Sequence, residues 1–285
     1  MVNCLFVSDL HGRPEKYHTL FRVIQQEIPE AVFFGGDLLP LHVPKDLPMG
    51  LFIEDTIFSP IKEIQKLTRN KTRFFIILGN DDPRIYEHLF IDADTKGIIS
   101  YIHEKTIPWK HHYVTGYSYV PPTPFLLKDW ERYDISRFVD VGAVSPEKGR
   151  RTLPITPDEA RYTTIADDLE TLSKNAPVEK TMFLFHSPPY DSLLDTIDSA
   201  GKMVDHAPLD THIGSIAIQR FIAEKQPLVT LHGHAHESAQ LTGHWMQRFG
   251  RTFSFSAAHD GPELAVVRFD TDALHDATRD LITVS

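Results

Sequence analysis

Histidine is unusually abundant in this chain, and four polar residues form two pairs with the same short spacing. Sixteen of the 285 residues are histidine. Asp9 precedes His11 by two positions, and His234 precedes His236 by the same interval. On an extended backbone this spacing places both side chains of a pair on one side. Imidazole and carboxylate groups are common metal ligands, and imidazole titrates near neutral pH, so the pairs predict a metal site.

Three further polar residues extend this set to seven candidate metal ligands. Asp37, Asn80 and His186 each follow a short apolar run that predicts a buried β-strand, and glycine directly precedes Asp37 and Asn80. Glycine permits tight turns and close approach of the backbone to a metal. Binding sites of open α/β sheets lie beyond the carboxyl ends of the strands. We therefore expect five strand ends to meet at one crevice, which collects Asp9, His11, Asp37, Asn80, His186, His234 and His236.

The chemistry of these ligands favours two transition-metal ions. They supply carboxylate, amide and imidazole groups but no thiolate, a mixture that suits Mn, Fe, Zn, Co or Ni better than Ca or Cu(I). Seven ligands exceed the need of one tetrahedral ion with an open position, but they can hold two ions if a carboxylate bridges. Two metals about 3.5–4 Å apart lower the pKa of a bridging water and stabilise both oxygens of an in-line phosphoryl displacement. The expected cofactors are two divalent ions, with manganese slightly preferred, and the expected attack is by a metal-bridging hydroxide.

The motifs, in this order, resemble the signature blocks of the calcineurin-like metallophosphoesterases, and they span residues 9–236. The blocks are Asp9-Leu10-His11, Gly36-Asp37, Gly79-Asn80, His186 and Gly233-His234-Ala235-His236. The resemblance implies an α/β fold, a four-layer α/β/β/α sandwich of mixed sheets flanked by helices. It also implies a dinuclear centre. One metal would be held by Asp9, His11 and His236, the other by Asn80, His186 and His234, with Asp37 as the bridge.

The chain departs from the family pattern directly after the third block. Many members have histidine there, which acts as a general acid or contacts phosphate, whereas this chain has Asp81. A carboxylate beside two cations should stay ionised and would be a poor acid, so we favour a helix N-cap or a hydrogen-bond acceptor for Asp81. Asp82 matches an acidic family position that orients a ligand. The catalytic candidates are Asp37, Asn80, Asp81 and His234.

Other polar residues near the motifs allow two interpretations each. Arg13 can contact a substrate phosphate or lie on the surface, and His232 is more simply a buried, hydrogen-bonded histidine. Residues 187–213 leave directly from a candidate ligand, so we expect them to rim the cleft in preference to forming a plain surface loop. The segment 109–130 can be a lid or an oligomer contact. The histidines that we place outside the site are His111, His112, His244 and His259.

The hydrophobic pattern predicts the elements that must position these residues. Strands are predicted near 3–8, 31–34, 73–78, 181–185, 228–231, 252–256 and 264–269, with shorter strands in 98–125. Helices are predicted near 15–28, 58–67, 157–174 and 216–222. Alternation of strands and helices in the N-terminal part indicates a mainly parallel sheet covered by helices. The pattern contains no repeat and no clear linker, which favours one domain over residues 1–285.

Composition limits the expected partners. The chain has 29 Lys and Arg against 39 Asp and Glu, a net charge of −10, which disfavours binding of long nucleic acid. No apolar run approaches the roughly 20 residues of a transmembrane helix. The N-terminus lacks the basic region of a secretory signal, and the single cysteine, Cys4, fits a reducing compartment, so a cytoplasmic location is expected.

The expected function is hydrolysis of a small phosphate ester. A phosphodiester, such as a nucleotide, is slightly preferred to a monoester because the family's catalytic histidine is replaced. An oligomer is compatible with the sequence. The alternative is a non-catalytic protein-binding scaffold on the same fold.

Overall fold

Two six-stranded β-sheets pack face to face, and helices cover the outer face of each sheet. This arrangement is seen in a computed structural model of the chain, which describes residues 3–40, 48–198, 203, 204 and 206–284. The expected four-layer α/β/β/α sandwich is thereby confirmed.

The strands follow one another along the whole chain. They are β1 Asn3–Val7, β2 Ala31–Gly35, β3 Arg73–Ile77, β4 Ser100–Tyr101, β5 Thr106–Trp109, β6 His112–Tyr117, β7 Thr181–Phe185, β8 Met203–Val204, β9 Ala207–Pro208, β10 Val229–His232, β11 Met246–Phe249, β12 Thr252–Ser256, β13 Leu264–Asp270 and β14 Thr278–Ile282.

The helices lie between these strands, singly or in succession. They are α1 Pro14–Glu27, α2 Met49–Ile53, α3 Ser59–Thr68, α4 Glu87–Thr95, α5 Pro157–Tyr162, α6 Ile165–Leu172, α7 Ile216–Lys225 and α8 Ser238–Thr242. A π-helical turn, Glu54–Phe58, joins α2 to α3. None of the described helices has the length and hydrophobicity that a membrane span requires.

Both sheets are mixed, with a parallel centre. The first has the order β14-β13-β1-β2-β3-β4, in which β1 to β4 are parallel and β13 runs antiparallel to β1. The second has the order β11-β12-β10-β7-β6-β5, in which the four inner strands are parallel. The carboxyl ends of parallel strands share one edge, so each sheet presents the loops after its central strands on a single side.

The central strands are mostly apolar because both faces of each sheet are covered. In β1, Cys4 and Phe6 face the second sheet, whereas Leu5 and Val7 face the helices. Phe33 of β2 stacks on the neighbouring Phe75 with ring centroids 5.0 Å apart, between the two sheets. Cys4 is fully buried, and this burial raises the pKa of its thiol.

Several elements differ from the predictions. The helix predicted near 157–174 is two helices, because Thr164 adopts an extended backbone and caps α6 by accepting a hydrogen bond from the Asp167 amide. The helices α2, α4 and α8, the strands β11 and β14, and the small β8–β9 hairpin within 187–213 were not predicted. These elements are short, and α4 buries only Phe90 and Ala93, which leaves too weak a periodicity to recognise.

Candidate metal centre

All seven candidate ligands lie in loops that directly follow strands of the two sheets. The first sheet supplies Asp9 and His11 after β1, Asp37 after β2 and Asn80 after β3. The second sheet supplies the three remaining histidines, after β7 and β10. The loops meet where the carboxyl ends of both sheets face each other, and the structure brings together the set that the sequence indicated.

The first group of ligand atoms belongs to Asp9, His11, Asp37 and His236. One donor atom from each lies within 4.8 Å of all the others. The Nε2 atoms of His11 and His236 are 3.1 Å apart, and His236 Nε2 is also 3.1 Å from Asp9 Oδ1. Three donor atoms therefore converge on one point, as metal ligands do.

The second group belongs to Asp37, His186 and His234, whose donor atoms also lie within 4.8 Å of one another. Asn80 joins it, since its Oδ1 is 3.0 Å from His186 Nε2. Asp37 Oδ2 is 3.2 Å from the same nitrogen. Asp37 therefore belongs to both groups, which is the geometry of a bridging carboxylate.

The side chains are held in place by their other polar atoms. His186 Nδ1 lies 2.7 Å from the Gly35 carbonyl oxygen, so this nitrogen donates and Nε2 points toward the ligand group. The Asp81 amide donates to Asp37 Oδ1 at 2.9 Å, and the His234 amide donates to Asp9 Oδ1 at 3.1 Å. Hydrogen bonds of this kind fix the orientation of metal ligands.

The ligand loops are turned rather than extended, which corrects one step of the sequence reasoning. Asp9, His11, Asp37 and His234 have positive φ angles of 58°, 45°, 53° and 71°. An extended backbone is therefore not what places the two side chains of each pair on one side. Non-glycine residues in the left-handed region are uncommon, and they cluster at functional sites.

Two glycines make the close approach of these loops possible. A Cβ atom on Gly79 would lie 2.2 Å from Asp37 Oδ1 and 2.7 Å from His186 Cε1. Gly36 has a φ of 94°, and a Cβ there would lie 2.7 Å from His186 Nδ1. Any side chain at either position would displace a ligand, so glycine is required as the sequence analysis expected.

The electrostatics of the cluster show why these groups suit a cation. Burial alone would raise the pKa of Asp9, but the neighbouring imidazoles, His236 first, hold it below its usual range. Burial, reinforced by His186, lowers the pKa of His234 to about 3, so this imidazole is neutral. Burial works against protonation of His186, yet Asp37 raises its pKa to about 10. Among the described residues, Asp9 and Asp37 form ion pairs with imidazoles and with no lysine or arginine, and a metal ion would replace the imidazole protons.

The residues fit a pair of divalent metal ions. The donor set of imidazole, carboxylate and amide groups matches Mn, Fe, Zn or Ni. Asp9, His11 and His236 would hold one ion and Asn80, His186 and His234 the other, with Asp37 shared.

Asp81 takes one of the two roles expected for it, because its carboxylate is a hydrogen-bond acceptor. Asp81 does not cap a helix, because the following turn begins only after Pro83. It lies beside the ligands, where Asn80 donates to its Oδ1 at 3.2 Å and His11 Nδ1 is 3.8 Å from its Oδ2. Burial and the charge of Asp37 raise the pKa of Asp81 to about 7 among the protein's own groups.

Asp82 ties together two of the ligand loops. Its carboxylate accepts hydrogen bonds from the amides of Leu38, Leu39 and Gly79, at 2.7 to 3.1 Å. It therefore joins the loop of Asp37 to the loop of Asn80, as its acidic family position implied. Burial, with repulsion from Asp37, raises its pKa to about 7.

A mostly apolar cleft of about 360 Å³ opens beside the second ligand group. One wall is Pro121–Phe125, and Ile197 and Ile213 lie on another. Described residues of the connection 187–213 thus rim the cleft, as predicted, whereas residues 199–202 and 205 lie outside the described part. Part of the segment 109–130 also lines it. Within that segment, Trp109 and Trp130 are instead buried in the interior.

A second cleft, of about 400 Å³, opens on the side of the first ligand group and is charged. Arg13, Lys16, His259 and Asp260 line it together with three residues of the metal centre. Arg13 therefore borders the cleft, and its side chain is also 41% exposed. His259, which the sequence analysis placed outside the site, also lies on this cleft. Neither Lys16 nor His259 belongs to a recognisable motif.

His232 is a structural residue, as expected. Its Nδ1 lies 2.9 Å from the Ser187 carbonyl oxygen and its Nε2 lies 2.8 Å from Thr230 Oγ1. Burial lowers the pKa of His232 to about 4. In the basic stretch Lys148–Arg151, Arg151 is half-buried and donates to the Lys128 carbonyl oxygen.

Comparison with known proteins identifies the fold. No family model and no curated protein matches the chain. One solved structure aligns over 99% of both chains with a TM-score of 0.60 at 15% identity. The protein TT1561 of Thermus thermophilus aligns over 98% of both chains with a TM-score of 0.58 at 16% identity. A dimetal phosphatase from Danio rerio aligns over 99% of both chains, with a TM-score of only 0.48 at 10% identity. At these identities, the first two likenesses show that the chain shares its α/β fold with proteins of similar length.

Proposed function

We propose that this chain is a two-metal phosphoesterase that hydrolyses a small phosphate ester, with a phosphodiester preferred. The observation that carries the proposal is the pair of ligand groups that share Asp37. Two divalent ions bound there would activate water for attack on phosphorus and stabilise the charge that develops on the phosphoryl oxygens. Manganese is the ion that we propose first.

The chain's own residues position the reactants. Asp37 is held by the Asp81 amide through Oδ1, which leaves Oδ2 facing His186. Asn80 and His234 border the apolar cleft, where they face the ester that undergoes hydrolysis. The apolar wall of that cleft excludes water and accepts an uncharged leaving alcohol.

The replacement of the family histidine by Asp81 favours esters with good leaving groups. Beside bound cations, the Asp81 carboxylate stays ionised and holds no proton to donate. Alkoxide leaving groups need such a proton more than aryl or nucleotide groups do. We therefore expect aryl esters to be hydrolysed faster than simple alkyl esters.

Metal content and hydrolysis measured on the same preparation test the proposal. We expect about two Mn²⁺ per chain after reconstitution and hydrolysis of bis-p-nitrophenyl phosphate that chelation abolishes. The His234→Ala variant should lose metal and turnover. The control is His275→Ala, whose side chain is 71% exposed and should leave both unchanged. Absence of metal and turnover after reconstitution would overturn the proposal and favour the scaffold function.

A further inference from the structure

Lys16 is a buried lysine without a partner, and it faces the charged cleft beside the metal centre. The residue is only 3% exposed and lines the cleft with His11 and His236. In the part of the chain that the structure describes, its ammonium makes no hydrogen bond and no ion pair. Buried ammonium groups are normally paired, because burial without a partner is costly.

The surroundings add to this cost. Lys16 occupies the first turn of α1, where the helix dipole disfavours a cation. Burial lowers its pKa, and Arg13 lowers it further by repulsion. Asp9, Glu15 and Glu263 act in the opposite direction, but only at a distance.

The neighbouring charges on the cleft are already paired within the chain. Arg13 Nε is 3.3 Å from Glu15 Oε1, and its Nη1 donates to the Gly261 carbonyl oxygen at 3.2 Å. His259 Nε2 is 3.0 Å from Glu263 Oε2. Asp260 and Asp81 also line the cleft, yet neither contacts Lys16. Lys16 is therefore the cation on this wall that stays available to an external anion.

We propose that the charged cleft binds a second anionic group of the substrate, a carboxylate or a second phosphoryl group, through Lys16. The inference rests on the proposed phosphoesterase function, because the cleft also borders the first ligand group. An ester whose phosphorus lies at the metal centre can reach Lys16 with an anionic substituent on the same molecule. The substrate class is thus a phosphate ester that carries a further negative charge. The apolar cleft takes the uncharged part of the molecule.

Matched phosphonates test this assignment by binding rather than by turnover. Methylphosphonate carries one anionic group, phosphonoacetate and 3-phosphonopropionate add a carboxylate, and methylenediphosphonate adds a second phosphoryl group. Dissociation constants are measured by calorimetry on Mn²⁺-reconstituted protein, with metal kept in excess. We expect at least one of the doubly functional probes to bind about tenfold tighter than methylphosphonate, the gain of one charge-assisted hydrogen bond.

The Lys16→Met variant should lose this preference, and Lys16→Arg should keep most of it. The control is Lys66→Met, an exposed lysine of α3, which should retain the full preference. Because Met removes an unpaired buried charge, the thermal stability of the Lys16→Met protein without phosphonate should stay equal or rise. A marked fall would reveal a partner within the chain and overturn the assignment.

Failure of this inference is distinguishable from failure of the proposed function. If Lys16→Met binds methylphosphonate and still prefers the doubly functional probes, the metal centre stands and the role of Lys16 is wrong. If the wild-type protein shows no preference among the probes, the second anionic site is likewise refuted. If methylphosphonate does not bind to the reconstituted protein at all, the proposed function itself fails.

Discussion

Two regions of this molecule that contain buried charge balance it differently. The metal centre contains Asp9 and Asp37, which are buried among histidines. Within the described residues, no lysine or arginine forms an ion pair with either carboxylate. The second region, which we term the paired cluster, comprises Arg84, Lys128, Glu131, Arg132 and Asp168.

In the paired cluster each buried anion meets a cation of the protein itself. Lys128 and Glu131 are both fully buried and contact each other directly. Glu131 also accepts hydrogen bonds from the amide and hydroxyl of Thr123. Arg132 Nη1 is 2.5 Å from Asp168 Oδ2. The charges of the paired cluster are neutralised by protein cations, whereas the carboxylates of the candidate metal centre face imidazoles that a metal ion could replace as cation. Burial of acidic residues is common to both regions and does not distinguish them.

Lys128→Met breaks the paired cluster and should have the largest effect on stability. Removing one partner leaves a buried carboxylate uncompensated, which costs about 3–5 kcal/mol of unfolding free energy. Denaturant unfolding measures the loss. Lys174→Met is the control, because its pair with Glu170 is about 70% exposed on both sides and is worth less than about 1 kcal/mol. An equal loss in both variants would contradict the distinction between the regions.

The same variant should show a characteristic pH dependence. Burial already raises the pKa of Glu131 to about 7, although Lys128 opposes the shift. Removal of Lys128 should therefore raise the pKa of Glu131 further. Because the pKa of Glu131 is higher in the folded protein than its unfolded value of 4.5, the protonated carboxyl group stabilises the fold at low pH. This stabilisation is lost as the pH rises through the folded-state pKa. We expect the destabilisation of Lys128→Met to be larger at pH 8 than at pH 5. Equal destabilisation at both would contradict this account.

Asp37→Asn tests the metal centre, and we expect this substitution to reduce activity strongly without destabilising the fold. The amide loses the bridging charge, so turnover should fall by more than about 100-fold, the upper limit for groups that only orient a ligand. Its oxygen still accepts the hydrogen bond from the Asp81 amide, and His186 can lose its proton once Asp37 no longer raises its pKa, so metal-free stability should change little. Asp92→Asn, an exposed carboxylate of α4, serves as the control. Full metal content and activity would refute the bridge.

The two regions also differ in how far the sequence could predict them. The metal centre could be predicted because its ligands occur in short motifs directly after predicted strands. His186 has no second ligand near it in the sequence, so only its place after the fourth predicted strand identifies it. The paired cluster lies between residues 84 and 168, where irregular loops such as that of Lys128 and Glu131 carry no periodicity. Which charges meet there depends on tertiary packing. The same holds for Lys16, whose place in an amphipathic helix does not reveal that its ammonium lacks a partner.

Asp82 connects the two regions, and its replacement should give the smallest of the expected effects. Its carboxylate holds the ligand loops at Leu38, Leu39 and Gly79, while its carbonyl oxygen accepts a hydrogen bond from Trp130 Nε1 at 2.7 Å. In Asp82→Asn the amide nitrogen cannot accept, so one loop contact is lost and the loops separate slightly. We expect the affinity for Mn²⁺ to fall about 10–100-fold, measured by titration of the metal-free protein. Unchanged affinity would mean that the positions of Asp37 and Asn80 are fixed by the strands alone, and that Asp82 belongs to the structural region.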